Sequence, residues 1–387
     1  MDCLRDWPEP VVRVQSLSDS GATTIPDRYV KPQSERASVD PGDMVGIPVV
    51  DLAMLTDDVA NCEATVTAIA DACRQWGFFQ AINHGVSPGL MRGAREVWRG
   101  FFHLPMDEKQ RYANSPKTYE GYGSRLGIER GAILDWGDYF FLHFLPLCLM
   151  DHDKWPALPP ALRYHITALP SSSDLLRLAC LRCRRLESNL NVHACAHRET
   201  SDEYGAALTK LCRRLLRALS IGLGLDAACL PVAFDDEGVC MRVNFYPRCP
   251  QPELTLGLSA HSDPGGITVL LVDDHVTGLQ VRKNDSWITV QPVPDAFIVN
   301  VGDQIQVLSN AAYKSVEHRV MVNAAVERLS MAFFYNPKSD VPIGPIRELV
   351  TCDRPALYRP MTFDEYRLFI RKKGPRGKSQ VDSLVAA

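Results

Sequence analysis

His261 and Asp263 stand two positions apart in "SAHSDPGGITVLLVDD". Alternate residues of an extended strand share a face, so this imidazole and carboxylate can reach one metal ion. The Pro264-Gly265-Gly266 run that follows would turn the chain there without side-chain bulk. A histidine and an aspartate beside a Pro-Gly turn also occur with no metal at all. The deciding residue must come from another strand. His318, in "YKSVEHRVMVN" and 55 residues beyond Asp263, completes two imidazoles and one carboxylate. On one side of iron(II), that set leaves positions open for a chelating cosubstrate and oxygen.

A cosubstrate such as 2-oxoglutarate would chelate through its keto-acid end. Its far carboxylate needs a guanidinium fork and a hydroxyl. "ERLSMAFFYNP" offers Arg328 and Ser330 on one strand face, and "RVNFYP" offers Asn244 and Tyr246. Arg242 shares their face, and an arginine aimed inward needs an anionic partner. Arg367 and Arg371 are four apart in "DEYRLFIRKK", on one helix face. With that helix over the mouth between the strands, the three arginines would clamp a second carboxylate. Phe334 shares the parity of Arg328, and Phe141 in "WGDYFFLHFLP" offers another apolar wall. The implied ligand is a small hydrophobic monocarboxylate. Plainer readings stand beside these: core histidines, a solvated strand arginine at Arg328, simple packing at Tyr246, and an exposed helix face at Arg367 and Arg371. His84, in "NHG", reads as structural.

The elements that must position these residues follow from periodicity. Residues 1–45 read as an irregular arm. "IPVVDLAML" and "FFQAINHGV" read as strands, and "DVANCEATVTAIADACRQWG" as a helix with Val59, Val66, Ile69 and Cys73 near one side. Ser87 and Pro88 open a second helix as N-cap and first residue. From Glu199 a long amphipathic helix would bury Leu208, Leu211, Leu215 and Leu219. From about Cys240 to Tyr335 the pattern changes to short strands divided by turns, among them "AFIVNVGDQIQVLSN" and a hairpin in "VRKNDSWITV". Closely spaced strands without long helices between them predict an antiparallel sandwich or barrel. The tail "TFDEYRLFIRKK" returns to helix.

Composition sets the outer bounds. Of 387 residues, 46% are apolar and 23% charged, a globular balance. A net charge of -4 gives no electrostatic reason to expect nucleic acid or an anionic membrane as partner. No apolar run is long enough to cross a bilayer. "MDCLRDWPEP" does not read as a secretory signal, so the 12 cysteines are expected as reduced thiols in the cytoplasm, with the nucleus also open. Nothing in the sequence sets an oligomeric state.

"HSD", the distal His318, "RLS", "NFYPRCP" and the N-terminal "WGFFQAINHGV" together resemble the plant 2-oxoglutarate- and iron(II)-dependent dioxygenases, from Ile47 to about Leu368. The resemblance implies a mainly β fold, a distorted double-stranded β-helix (jelly roll) core flanked by helices. It implies an N-terminal region over 1–235, the core over 236–340 and a C-terminal helical segment over 341–387. It places Fe(2+) on His261, Asp263 and His318, and 2-oxoglutarate on Arg328, Ser330 and Tyr246 with Asn244 nearby. O2 would be the second cosubstrate, with ascorbate in support. "WPEPVVRVQSLSDSGATTIPDRYVKP", "NSPKTYEGYGSRLGIERGAILDWGDYFFLH" and "MTFDEYRLFIRKKGPRGKSQV" resemble the jasmonate-oxidase branch. That likeness implies hydroxylation of jasmonic acid to 12-hydroxyjasmonic acid, which lowers jasmonate signalling, with the substrate carboxylate on Arg242, Arg367 and Arg371. A flavonoid or other specialised-metabolite oxygenase, and a catalytically silent ligand-binding homologue, remain alternatives.

Residues 164–198 depart from the family pattern. They hold five arginines, three cysteines and three histidines, with poor periodicity. Removing them joins "PPALR" to "ETSDEYG". A translated intron, a surface loop and a zinc knuckle from Cys180, Cys183, His193 and Cys195 are the readings open to this segment.

Overall fold

The structure is a computed structural model that describes residues 11–36, 46–57, 62–114, 120–125, 129–156, 193–235, 238–374 and 377–385; of 193–200 and 370–373 it describes the backbone only. Its first strands are β1 (Val49–Asp51), β2 (Phe78–Ile82), β3 (Gly121–Gly123) and β4 (Asp138–Leu145). Then come β5 (Gly238–Tyr246), β6 (Leu258–His261), β7 (Ile267–Val272) and β8 (Leu279–Lys283). β9 (Ser286–Thr289), β10 (Phe297–Val301), β11 (His318–Val320) and β12 (Arg328–Asn336) complete the two larger sheets. One sheet runs β1-β2-β10-β7-β12-β5-β4-β3 and the other β6-β11-β8-β9. The large sheet thus draws strands from both the N-terminal region and the later strand cluster.

The period-two alternation explains how the large sheet lies. β5 and β12 pair antiparallel with Tyr246 opposite Arg328, Asn244 opposite Ser330, and Arg242 opposite Ala332. Their other parity is apolar: Val243, Phe245, Leu329, Met331 and Phe333 are buried in the main core. Helices cover that side. The helix His193–Gly222 packs against Glu63–Gln75, Pro88–Phe102 and β12. Its stripe of Leu208, Leu211, Leu215 and Leu219 is buried as expected. Each fully buried leucine contributes roughly 1.5–3 kcal/mol, more than helix propensity supplies over the same residues. Ser87 caps its helix by accepting a hydrogen bond from the Gly89 N–H, with Pro88 at the first helical position. Val66, Ile69 and Cys73 are buried; Val59 lies outside the described residues.

Three expectations are corrected. "AFIVNVGDQIQVLSN" is not one strand: it breaks at Gly302 into β10 and the helix Asp303–Leu308. All six residues of that helix are buried, so no polar–apolar alternation marks the change. The arm is not irregular throughout, since Val14–Asp19 is helical and Val14, Ile25 and Tyr29 form a small core with Leu134 and Trp136. The long helix starts at His193, ahead of Glu199 and inside the anomalous segment. Residues 157–192 lie outside the described residues, as do the side chains of His193 and Cys195, and with them the knuckle reading. The hairpin is present, with Asn284 and Asp285 at φ 47° and 62° between β8 and β9. Among the described residues, no helix is long and apolar enough to cross a membrane.

Candidate active site

The site lies between the two sheets. On the small sheet, β6 and β11 pair with His261 directly opposite His318, their ring centroids 4.3 Å apart. Asp263 follows β6. Its Oδ1 lies 3.6 Å from Nε2 of both histidines, and the three ligand atoms lie within 4.8 Å of one another. Separations of 3.6 Å are too long for hydrogen bonds. They suit donors each about 2 Å from one ion. His261 Nδ1 bonds the Ser259 carbonyl at 2.8 Å and His318 Nδ1 bonds the Val316 carbonyl at 3.2 Å. Those bonds leave Nε2 of each ring to a metal.

The other oxygen of Asp263 is held by residues the sequence reading did not single out. Thr268 Oγ1 donates to Oδ2 at 2.5 Å, and Asn300 Nδ2 at 2.8 Å. Thr268 and Asn300 are register partners on β7 and β10. Burial works against the Asp263 carboxylate, but His318, His261 and Asn300 outweigh it and hold its pKa well below the ordinary range. His318 is pushed down to about 4 by burial and by the neighbouring His261, against the pull of Asp263. Burial also opposes charge on His261, where the adjacent Asp263 carboxylate wins and raises its pKa. The triad is thus a carboxylate, a neutral imidazole and at most one proton for a metal to displace.

The large sheet supplies the facing wall. Arg328 is 3% exposed, with its guanidinium carbon 5.5 Å from the Tyr246 ring centroid. Its Nε and Nη1 have no hydrogen-bond partner, nor does Oδ1 of Asn244. Burial depresses the pKa of Arg328, and the nearby Tyr246 and Asp273 partly offset this. A buried guanidinium with unpaired N–H groups fits an incoming carboxylate. Gly278 makes room for it, since a Cβ there would come 3.0 Å from Arg328 Cδ. The triad, Tyr246, Asn244, Arg328, Ser330, Arg242 and Phe334 line one cavity of about 60 Å³. A second cavity of about 690 Å³ meets it at Arg242, Asn244 and Tyr246 and extends past Lys31, Asp135 and Arg319.

Arg242 is half-buried opposite Phe141 on β4, with its guanidinium carbon 4.2 Å from the Tyr139 ring centroid. Burial lowers its pKa, its Nε has no partner, and among the described residues no carboxylate lies at ion-pair distance. Phe141 lines neither cavity; its ring lies edge-on to His143 at 4.9 Å. Arg367 pairs with Asp364 at 2.5 Å and lies over Phe363, also outside both linings. Its charge bears on the thiol of Cys240, two positions before Arg242 on the same face of β5. Arg371 lies in the helix Phe363–Lys373, but its side chain is outside the described residues. His84 is structural: its Nε2 bonds the Asp295 carbonyl at 3.0 Å and its Nδ1 accepts from the Val86 N–H.

Residues 237–337 match the 2OG-Fe(II) oxygenase superfamily, and residues 47–160 match the N-terminal region of non-haem dioxygenases in morphine synthesis. Jasmonate-induced oxygenase 1 of Arabidopsis thaliana is 55% identical, over 98% of this chain and 88% of that protein. Flavanone 3-dioxygenase 2 of Oryza sativa subsp. japonica is 38% identical, over 91% of this chain and 92% of that protein. The solved structure of JOX2 in complex with 2OG, Fe and JA matches with a TM-score of 0.83 and 54% identity, covering 99% of this chain and 100% of that one. With a His-Asp-His cluster between its sheets and identity of this order along nearly its whole length, the chain belongs to the 2OG-Fe(II) oxygenase superfamily, in the jasmonate-induced oxygenase branch.

Proposed function

We propose that this protein hydroxylates jasmonic acid to 12-hydroxyjasmonic acid, removing the hormone from signalling. The observation that carries the substrate is Arg242, a half-buried arginine beside the triad whose buried Nε has no partner and which has no carboxylate at ion-pair distance among the described residues. A flavonoid, which has no carboxylate, would leave it unmatched. The likeness to the JOX2 complex with 2OG, Fe and JA supports the same reading. The two sheets would be the walls of a distorted jelly roll, with its iron and cosubstrate residues all drawn from 236–340.

His261, Asp263 and His318 would hold iron(II). When bound, iron(II) with 2-oxoglutarate supplies the oxidation: one oxygen atom of O2 enters the substrate C–H bond, and the other accompanies loss of carbon dioxide to give succinate. Arg328, with Ser330 and Tyr246, would bind the distal carboxylate of 2-oxoglutarate and so orient its keto-acid end toward the triad. Arg242 would anchor the jasmonate carboxylate, joined by Arg367 and Arg371 if Arg367 exchanges Asp364 for substrate. Anchoring the acid end directs the far pentenyl carbon inward, with Phe334 as an apolar wall. This fixed geometry limits stray oxidation.

The test is incubation of the full chain with iron(II), ascorbate, 2-oxoglutarate and jasmonic acid, followed by mass spectrometry. A 12-hydroxy product and succinate in equal amounts is the expected result. Succinate without oxidised jasmonate, from folded and iron-loaded protein, would overturn the substrate and leave the reaction class standing.

A further inference from the structure

We infer that Tyr139 is a positioning residue: its ring is a platform that sets the plane of Arg242 and so makes the site a reader of carboxylates. The inference rests on Arg242 as the jasmonate anchor. Tyr139 sits on β4 opposite Asn244, two register pairs from Arg242 and on the same face of the sheet. Its ring centroid lies 4.2 Å from the guanidinium carbon, a cation–π distance. The ring is itself fixed at its far end. Its hydroxyl donates to the Arg125 carbonyl at 2.9 Å and accepts from Asn114 Nδ2 at 3.0 Å. Gly123 leaves the space the ring fills, since a Cβ there would come 2.7 Å from Tyr139 Cζ.

This placement resolves a difficulty of the site. A partly desolvated guanidinium with a buried, unpaired Nε is costly, and a free arginine side chain would turn toward any available carbonyl or water. An aromatic face stabilises the cation without using its N–H groups, because it acts on the π surface and not the edge. The N–H edge stays available, in a fixed plane, for a bidentate carboxylate. A neutral ligand of the same shape would gain nothing from that edge.

The experiment compares KM for jasmonic acid and for 2-oxoglutarate in Tyr139→Leu, Tyr139→Met, Tyr139→Phe and Arg242→Ala, with Tm checked for each. Loss of the ring in Tyr139→Leu should raise KM for jasmonic acid about tenfold or more, the effect of a desolvated cation–π contact. KM for 2-oxoglutarate should stay within about twofold, as for an uncoupled neighbouring site. Tyr139→Phe keeps the ring and should recover most of the loss. Tyr139→Met keeps the bulk without the ring, and serves if the leucine variant does not fold. In an Arg242→Ala background, removing the ring should add almost nothing. Equal impairment by phenylalanine and leucine, or a parallel rise in both KM values, would overturn the inference and assign Tyr139 a packing role. An unchanged KM in Arg242→Ala would instead remove the substrate reading beneath it.

Discussion

At the scale of single residues, the Asp263 carboxylate shows how the site divides its labour. One oxygen faces the two imidazoles; the other is held by Thr268 and Asn300. Groups that orient a ligand typically change metal affinity by about 10- to 100-fold when removed. Asn300→Ala should therefore weaken iron(II) binding by at least about tenfold, with KM for jasmonic acid nearly unchanged at saturating iron. Direct iron titration of the purified protein checks it, and unaltered affinity would show that Thr268 alone suffices. Arg328→Lys keeps the charge but loses the planar fork. It should raise KM for 2-oxoglutarate about tenfold or more. Full activity at wild-type cosubstrate concentration would mean that charge, not geometry, is read there. The pairings of His261 with Asp263 and of Arg328 with Ser330 were legible in the sequence because period two sets each pair on one side without knowledge of any partner strand. Thr268, Asn300 and Tyr139 were not, because their roles depend on cross-strand register: Thr268 opposite Asn300, and Tyr139 two pairs from Arg242 on the same face.

At the scale of elements, the helix Asp303–Leu308 explains how the C-terminal helix is placed. The Asp303 N–H donates to the Asp263 carbonyl at 2.8 Å. Its Oδ2 accepts from Ser262, between the two metal-facing residues, at 3.1 Å and from the Tyr366 hydroxyl at 2.6 Å. Tyr366 immediately precedes Arg367, so one buried carboxylate ties the arginine-bearing helix to the loop that carries Asp263. The turn fits only because Gly302 lacks a side chain: a Cβ there would run into the Gly265 carbonyl oxygen. Gly302→Ala should cost about 1–3 kcal/mol, the usual penalty for overpacking. It should also weaken iron binding, since Asp263 is the residue displaced; thermal unfolding with and without iron measures both. A Tm within error of wild type would show that the loop yields freely. This helix was the element least legible in the sequence. Its residues Gln304 and Gln306 are buried polar groups, and burial on all sides removes the amphipathic signal that identifies the longer helices.

At the scale of the whole molecule, the two ligands of the proposed reaction would add a polar bridge between two sheets that the chain joins through the apolar cluster of Phe78, Val272, Ile298, Leu279 and Val281. The triad lies on and beside the small sheet, while Arg328, Ser330 and Tyr246 belong to the large one. Iron alone should reinforce mainly the β6–β11 pair. 2-Oxoglutarate, chelating the metal and reaching Arg328, would bridge the sheets. A ligand at a hundredfold excess over its Kd adds about 2.7 kcal/mol to folded-state stability, a shift of several degrees in Tm. The expected pattern in thermal unfolding is a modest rise with iron(II), and a larger rise with both than the sum of the separate rises. 2-Oxoglutarate without metal should do little. Arg328→Ala should abolish the cosubstrate increment and keep that of iron, whereas His261→Ala should lose both. Strictly additive increments would mean that the sheets are already locked together by the helices and the N-terminal arm, and that the cosubstrate binds without bridging them.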